Sequence, residues 1–517
     1  MIDGTRFLRG WARYRLAALD RQNVAETQER QLKRLLHRAS RTRFGQEHRF
    51  DTISSLEEFQ SRVPLRRYED FWARYWKPGF PVVRDATWPG TIPYFAKTSG
   101  TTTGTSKYIP VTHETLKAYR GAILDMLAFH LRARPQSRVL GGKNFMLGGS
   151  VALDELGTGI YAGDMSGIAA REVPRWARPF YFPRGEVGEI SDWDRKLEIL
   201  GPLSLKEDIR TIGGTASWLL FFLQNLVQTE GRSLSECYPK LELIVYGGVN
   251  FAPYRSQYED LLAGSRVDLR EVYPASEGFI AVADRGVGEG MRLVVDGGTF
   301  FEFVPVEELD SANPRRHWVG NVETGLNYAV VMSTPGGAWS YILGDTVRFV
   351  DRDPPRLLVT GRTASSLSAF GEHLVEEEIV RAVTAAAEFV GAGVADFSVG
   401  PVYPSGEDRR GFHLYVVEFE GERLASERLE RFAMRLDGCL REINEDYDAH
   451  RRGDVQMKPP EVVVAPPGTF SAWMRSRGRL GGQNKVPRVV HDPDLLAELR
   501  SRAIGAGKFE ASERIDR

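Results

Sequence analysis

From Lys143 onward the chain alternates short apolar runs with glycine: "NFMLGGS", "LELIVYGG", "RVDLREVYPASEG". This is the rhythm of strands that feed loops, with helices between them, and it predicts an α/β protein. Residues 291–350 read as β-rich, in "MRLVVDGGTFFEFVPV" and "LNYAVVMSTPGGAWSYILGDTVRFV", with Gly and Pro at hairpin spacing. At 517 residues the chain exceeds one ordinary core, so two or more domains are expected. The break falls in "DRDPPRLLVTGRTASSLSAFG", where Pro354 and Pro355 precede a short strand and a linker-like stretch rich in Gly, Thr and Ser. The expected division is 1–360, a hinge at 361–370, and 371–517. The last part reads as a small α/β unit: a helix from about Glu376, the strand "FHLYVVEFE", a helix from about Ser426 and the strand "EVVVAPP".

The residues before Tyr94 read as helices with short breaks. In "ETQERQLKRLLHRASRTRF", Leu32, Leu35, Leu36 and Ala39 recur at helical spacing, with charges opposite. Ser54 or Ser55 can cap a helix before Glu57 and Glu58, and Pro64 stops it. Thr112 can cap a long helix through Ala133, although Thr115 is not the Glu or Gln of a full capping box. Arg6, Arg9, Arg13 and Arg15 read as a solvated face.

Net charge is −1, which argues against nucleic acid as the main partner. The most apolar run, "WLLFFLQNLV", is too short to span a bilayer and reads as a buried helix, so no membrane partner is expected. Residues 1–23 lack the apolar centre of a signal peptide. Two distant cysteines, Cys237 and Cys439, form no C-x-x-C pair, and a reducing cytoplasmic setting fits them. No signal for an oligomeric state is present.

Four stretches carry chemistry. "TSGTTTGTSK" is almost free of side-chain bulk between Ser99 and Lys107. Glycines let backbone approach a ligand, consecutive N–H groups and hydroxyls can wrap phosphate oxygens, and Lys107 adds a point charge. A Walker loop, G-x-x-x-x-G-K-S/T, does not fit here, because counting from Gly100 puts Thr105 at the second glycine. The plain alternative is a surface loop. "VYPASEGFIAV" ends a strand in a turn with one carboxylate, Glu277, suited to Mg²⁺ or simply a capped turn. In "YILGDTVRFV", Asp345 can accept from both hydroxyls of a ribose, or is a Gly-Asp hairpin turn. In "GRLGGQNKVPRVV", Lys485 is a mobile cation or a solvated loop residue. "GTGIYA" matches a dinucleotide fingerprint only formally, since no clear strand precedes it.

Taken in this order, the stretches resemble the adenylate-forming superfamily of acyl-CoA synthetases, luciferases and peptide-synthetase adenylation domains. More narrowly, the chain is similar to the Gretchen Hagen 3 family of acyl acid amido synthetases, in a bacterial-type form. That narrower likeness rests on "LLHRASRTRFGQEHRF", "SLEEFQSRVPLRRYEDF", the run into "KYIPVT", "VYGGVNFAPYR" and "GQNKVPRVV". The resemblance implies a large N-terminal adenylation domain with mixed sheets and a β-barrel-like part, and a smaller mobile C-terminal α/β domain.

The resemblance also implies roles. ATP phosphates would meet Ser99, Gly100, Thr101, Thr102, Thr103, Gly104 and Lys107. Gly248 and Val249 would line the nucleotide or acyl side. Tyr273, Pro274, Ala275 and Ser276 would meet the adenine, Glu277 the Mg²⁺, and Asp345 the ribose. Arg362 matches the hinge Gly-Arg, but "GRTASSLS" lacks the Asp or Lys that usually follows, so no pivot is assigned. Lys485 would be the C-terminal catalytic lysine, beside Glu277 and Lys107. The implied reaction joins a small-molecule carboxylic acid to an amino acid or amine through an acyl-adenylate. For the acid, Ile123, Leu127, Thr215, Trp218, Leu219 and Phe222 are the candidates, against plain core packing.

Overall fold

The computed structural model describes residues 3–512 except 99–106, 149–150, 191–192, 249–250, 252–253, 310, 364–366, 368, 371, 373, 404–409, 422–423, 445–446, 449–450, 452–456 and 481–484. They form two compact units. One comprises residues 1–249 and 257–359, the other 250–256 and 360–517.

The first unit is organised by a 12-stranded sheet. Tyr181–Phe182, Lys143–Leu147, Ile209–Thr215, Leu243–Gly247 and Asp268–Ala275 are successive neighbours, all parallel. Leu243–Gly247 is buried at every residue, as expected for a parallel strand covered on both faces. At Asp268–Ala275 the pairing changes to antiparallel, through Gly278–Val282, Met291–Leu293 and Pro355–Arg362. The β-rich 291–350 stretch supplies most of the antiparallel half of this mixed sheet. A second, 4-stranded sheet contains Tyr94–Thr98, Lys107–Val111, Asp154–Gly157 and Ile160–Gly163.

Helix His113–Ala133 packs Ala122, Met126 and Phe129 into a core with Leu243, Val245, Val272 and Phe279. Its start is a capping box with threonine at both positions. The Thr112 hydroxyl accepts the Thr115 N–H at 3.2 Å, and the Thr115 hydroxyl accepts the Thr112 N–H at 3.4 Å. Helix Val24–Ala39 begins at Asn23, whose side chain accepts from Glu26 N–H, and its Leu32, Leu35, Leu36 and Ala39 are all buried. Gln28 on the same helix is also fully buried. Its amide donates to the Val295 and Thr299 carbonyls and accepts from Phe301 N–H, so it stands in for one rung of a strand.

Helix Leu56–Arg62 ends before Pro64, and Arg316 takes up its last carbonyls. The Arg316 guanidinium donates to Gln60 O at 2.6 Å, Val63 O at 2.7 Å, Ser340 Oγ at 2.6 Å and the Glu302 carboxylate. It satisfies orphan groups of a helix end and pairs a buried charge in one step. The expected solvated basic face is only partly that. Arg15 lies against Asp125 and Asp296, and Arg9 donates to Ser137 O. Cys237 and Cys439 are buried thiols. Among the described residues no helix is long and apolar enough to cross a membrane.

The second unit has a three-stranded sheet, Val394–Val402, Phe412–Phe419 and Glu461–Ala465, antiparallel and then parallel. Helices Glu376–Phe389 and Ser426–Ile443 cover it with Ile379, Val383, Phe432 and Leu436 over Val399, Tyr415 and Val417. A buried ion pair secures the entry to this unit. Glu372 and His413 are inaccessible and 2.8 Å apart, and Glu372 also accepts from the Ala369 and Phe370 N–H groups.

Burial alone would raise the Glu372 carboxyl, but His413 and the backbone donors outweigh it and hold it below its ordinary range. A depressed carboxylate stabilises the fold above its unfolded pKa, about 4.3, and that contribution is lost as pH falls through the folded value. Glu372→Ala is therefore expected to cost about 3–5 kcal/mol by stranding His413. Glu372→Gln is expected to flatten the loss of stability below about pH 4. Urea denaturation at a series of pH values checks both.

Candidate active site

Gly148, Thr215, Gly248 and Ala275 lie at the carboxyl ends of four adjacent parallel strands. Ligands in open α/β sheets bind at this edge. Gly248 is exposed with φ +86°, a conformation that suits glycine. Ser99, Gly100, Thr101, Thr102, Thr103, Gly104 and Val249 lie outside the described residues.

The centre of the edge is the tight turn from Asp268–Ala275 into Gly278–Val282. Ala275 pairs with Gly278, which leaves Ser276 and Glu277 as the turn. A Cβ at residue 278 would sit 2.9 Å from Met332 Cε, so that flexible side-chain end would have to shift to admit one. Glu277 is buried and accepts a hydrogen bond from the Tyr341 hydroxyl. Burial first, and Glu277 second, push the Tyr341 hydroxyl well above its usual range, so it stays a donor. The Tyr119 hydroxyl, also in the field of Glu277, is sealed from solvent and has no hydrogen-bond partner among the described residues.

Asp345 lies four residues beyond Tyr341 on strand Tyr341–Arg352, and it accepts the Tyr273 hydroxyl at 2.8 Å. One strand therefore grips the turn twice, through Tyr341 on Glu277 and through Asp345 on Tyr273. Tyr273 is buried, Pro274 is exposed, and Ala275 and Ser276 are half-buried.

Thr98 pairs with Lys107, so both ends of the 99–106 stretch are fixed by antiparallel strands. Lys107 is 3.2 Å from Glu69 and lies over the Tyr68 ring, 4.9 Å from its centre. The Tyr68 hydroxyl accepts from Tyr108 N–H at 2.9 Å, which sets the ring in place. Glu69 is 61% exposed, so this ion pair is worth about 1 kcal/mol or less, and a polyphosphate can displace it. Glu69 was not singled out from the sequence, although "RRYEDF" belongs to the run-in that carried the narrower resemblance.

The acid candidates divide. Leu219 is fully buried beside Gly214, and Phe222 is nearly so, edge-on to Phe145 at 5.3 Å. Leu127 belongs to the core against the sheet. These three side chains are buried among apolar neighbours. Thr215 and Trp218 are half-buried and Ile123 is exposed, so they keep surface for contact.

In the second unit, Gly361 has φ +148°, and a Cβ there would sit 2.5 Å from Glu376 Cβ. Glycine is required at this point, beside an exposed Arg362. Lys485 is exposed, two residues before a segment fixed to strand Val394–Val402. Val399 N–H donates to Arg488 O and Val490 N–H to Val399 O, both at 2.8 Å. The Arg488 guanidinium is buried. It pairs with Asp396, donates to Phe397 O at 2.9 Å and Tyr254 Oη at 3.0 Å, and stacks over the Phe397 ring. Lys485 thus stands on a short leash from a rigid anchor. Sequence reasoning missed Arg488, because one arginine in "KVPRVV" looks like any other.

For Mg²⁺, no group of three His, Cys, Asp or Glu side chains gathers among the described residues. Mg²⁺ keeps several waters and takes one or two carboxylates plus substrate phosphates. One buried carboxylate at Glu277, with an unpartnered hydroxyl nearby, fits an ion that arrives with a nucleotide.

The chain matches the GH3 family N-terminal domain over residues 16–199, the GH3 family central domain over 292–362 and the GH3 family C-terminal domain over 377–494. Together these three matches cover most of the chain, and the chain belongs to the GH3 family. It is similar to the probable indole-3-acetic acid-amido synthetase GH3.9 of Oryza sativa subsp. japonica, 28% identical over 257 residues, covering 45% of this chain and 56% of the relative. It is also similar to indole-3-acetic acid-amido synthetase GH3.8 of Oryza sativa subsp. indica, 28% identical over 225 residues, 40% of this chain and 36% of the relative. The aligned part thus spans from about a third to just over half of these curated relatives' length.

Among solved structures, the fold is like that of the GH3.15 acyl acid amido synthetase, with TM-score 0.77 and 19% identity over 94% of this chain and 95% of that one. A 2-hydroxyisobutyryl-CoA ligase in its postadenylation state also shares the fold, with TM-score 0.59 and 15% identity over 92% and 91%.

The Tyr273–Asp345 bond predicts coupling across the turn. Tyr273→Phe is expected to cost about 1.5 kcal/mol of stability. In a double-mutant cycle with Asp345→Asn, the two losses are expected to sum to less than independent effects, by about 1 kcal/mol. Chemical denaturation of the four proteins measures the cycle.

Proposed function

We propose that this protein activates a carboxylic acid with ATP and transfers it to the amino group of an amino acid or amine. The observation that carries the reading is the doubly gripped turn, with Tyr273 on Asp345 and Glu277 under Tyr341, at the carboxyl edge of a parallel sheet. It supplies a fixed ring face for adenine, a carboxylate for ribose hydroxyls and a second carboxylate for a metal. Membership of the GH3 family and its likeness to amido synthetases support an amide as the product.

A carboxylate is a poor electrophile, and adenylation corrects this. The acid's oxygen attacks the α-phosphorus of ATP, pyrophosphate leaves, and an acyl-AMP remains. The acceptor nitrogen then attacks the acyl carbon, AMP leaves with the acyl–oxygen electron pair, and the nitrogen loses its proton. Lys107, drawn from Glu69, neutralises phosphate charge, together with the backbone of 99–104. Asp345, which accepts the Tyr273 hydroxyl, would also accept from the ribose hydroxyls. Mg²⁺, held at Glu277, would offset phosphate charge.

Thr215, Trp218 and Ile123 retain surface for the acid. Lys485 would be delivered by the second unit to the acyl phosphate, and Arg362 would lie in the hinge. A cytoplasmic setting is part of the same reading, in keeping with two unpaired thiols.

Acid-dependent exchange of labelled pyrophosphate into ATP, screened over aliphatic and aromatic acids, tests the first half-reaction. Exchange with at least one acid is expected, and its absence with every acid sinks the proposal. Product mass spectrometry with amino acids and with coenzyme A then decides the acceptor: an amide is expected, and a thioester would make the protein a CoA ligase. Glu277→Ala is expected to lower exchange at least a hundredfold, about 2.7 kcal/mol. Lys485→Ala is expected to slow one half-reaction and spare the other in single-turnover measurements.

A further inference from the structure

Helices Val24–Ala39 and His113–Ala133 enclose a groove that the chemistry above does not use. Its volume is about 490 Å³, within the usual range of small-molecule sites. Leu35, Trp88, Ala122 and Val294 floor it, and all four are buried. The second helix lines it with Lys117, Gly121 and Asp125. Ile123 and Leu127 are offset from Gly121 and Asp125 by two residues, about 200° around the helix. The groove therefore faces the opposite side of that helix from the acid candidates.

Glu114 and Asp125 are the first and last residues with which the second helix lines the groove, and an ion pair closes it at each. Arg38 is 3.5 Å from Glu114. Arg15 is 2.7 Å from Asp125 and 2.8 Å from Asp296. All three carboxylates of the lining are thereby engaged. Two cations between them are not. Arg34 is one turn before Arg38, and Lys117 is one turn after Glu114, so they stand on opposite walls of the middle of the groove. Both are exposed, and among the described residues neither has an ion pair or a hydrogen bond.

Gln31, one turn before Arg34, also lines the groove. It is only 7% exposed, and among the described residues its amide has no hydrogen-bond partner. An amide withdrawn from water without a partner is costly. Gln28, buried on the same helix, has three backbone partners, so burial there does not itself leave a glutamine unsatisfied.

Two like charges across a gap, with no carboxylate left to separate them, attract an anion. Arg15, Arg34, Arg38 and Lys117 stand against Glu114, Asp125 and Asp296, which leaves one positive charge in excess. A monoanion balances it. The buried floor takes an apolar body, and Gln31 takes a polar group of either sense, because an amide both donates and accepts.

We propose that this groove is a second small-molecule site, for a carboxylate on an apolar body, with the carboxylate between Arg34 and Lys117 and the body over Leu35 and Val294. Two molecules of the reaction read above have that chemistry. One is the acid itself. The other is its amide with an amino acid, which keeps the amino acid's carboxylate and brings an amide to Gln31. Binding in the groove does not depend on the amide reading; only the second source does.

Isothermal titration calorimetry of the full chain with octanoate, N-octanoylglycine and the uncharged N-octanoylglycinamide tests the site. At least one of the two carboxylates is expected to bind at least tenfold more tightly than the glycinamide. Arg34→Ala and Lys117→Ala, both at exposed positions, are each expected to weaken that binding at least fivefold. Both are expected to keep acid-dependent pyrophosphate exchange within twofold of wild type. Tighter binding of N-octanoylglycine, lost in Gln31→Leu, identifies an acyl amino acid as the ligand; equal or tighter binding of octanoate identifies the free acid. Binding of neither carboxylate at millimolar concentration overturns the proposal. So does binding that both variants leave unchanged, which places the carboxylates elsewhere on the protein. Exchange lost together with binding overturns it as well, since the two cations would then belong to the reaction. Tighter binding of octyl phosphate than of either carboxylate overturns the choice of a carboxylate. If no acid supports exchange, adenylation fails while the calorimetry still decides the groove.

Discussion

The first unit depends on one strand that is paired in two senses. Asp268–Ala275 runs parallel to Leu243–Gly247 on one side and antiparallel to Gly278–Val282 on the other. A parallel neighbour requires a long crossover, whereas an antiparallel one can follow through a tight turn. The switch in sense therefore places a two-residue turn at the edge where the parallel strands deliver their carboxyl ends. Glu277 is in that turn because of the topology, and it is buried because strand Tyr341–Arg352 reaches over it. A carboxylate in such a place is costly unless something holds it, and the Tyr341 hydroxyl does.

Much of this was legible in the chain. The apolar spacing of Leu32, Leu35, Leu36 and Ala39, the stop at Pro64 and the Gly-punctuated strands are local signals, and each was set by neighbours within a few residues. The motif turn and the Gly-Asp strand were legible too, because both are continuous in sequence. What could not be read is what joins distant segments through a single polar side chain. Gln28 completes a strand edge more than 260 residues away, Arg316 closes a helix of the N-terminal region, and Glu69 receives Lys107. Nothing in the identity of a glutamine or an arginine says which distant carbonyl it will meet. The apolar acid candidates show a related limit of sequence: periodicity marks Leu219 and Phe222 as inward-facing but does not say whether they face ligand or core.

The two halves of the expected chemistry have contrasting supports. In the first unit the polar residues are cross-braced, with Tyr273, Asp345, Tyr341 and Glu277 fixing one another, which suits groups that must hold a nucleotide without reorganising. In the second unit Lys485 is exposed, and the segment that follows it is anchored by Arg488 and the strand pairing at Val399.

Arg488 has a wider consequence through its bond to Tyr254. Residues 250–256 cluster with the second unit, so the chain passes between the units three times, at 249/250, 256/257 and 359/360. A body joined by one strand can turn about any axis through that joint. A body joined at three points can turn without stretching its backbone only if the three lie on one line, as on a piano hinge. Otherwise one passage must yield. Two of the three passages flank residues 250–256, the segment that follows Gly248 in the chain.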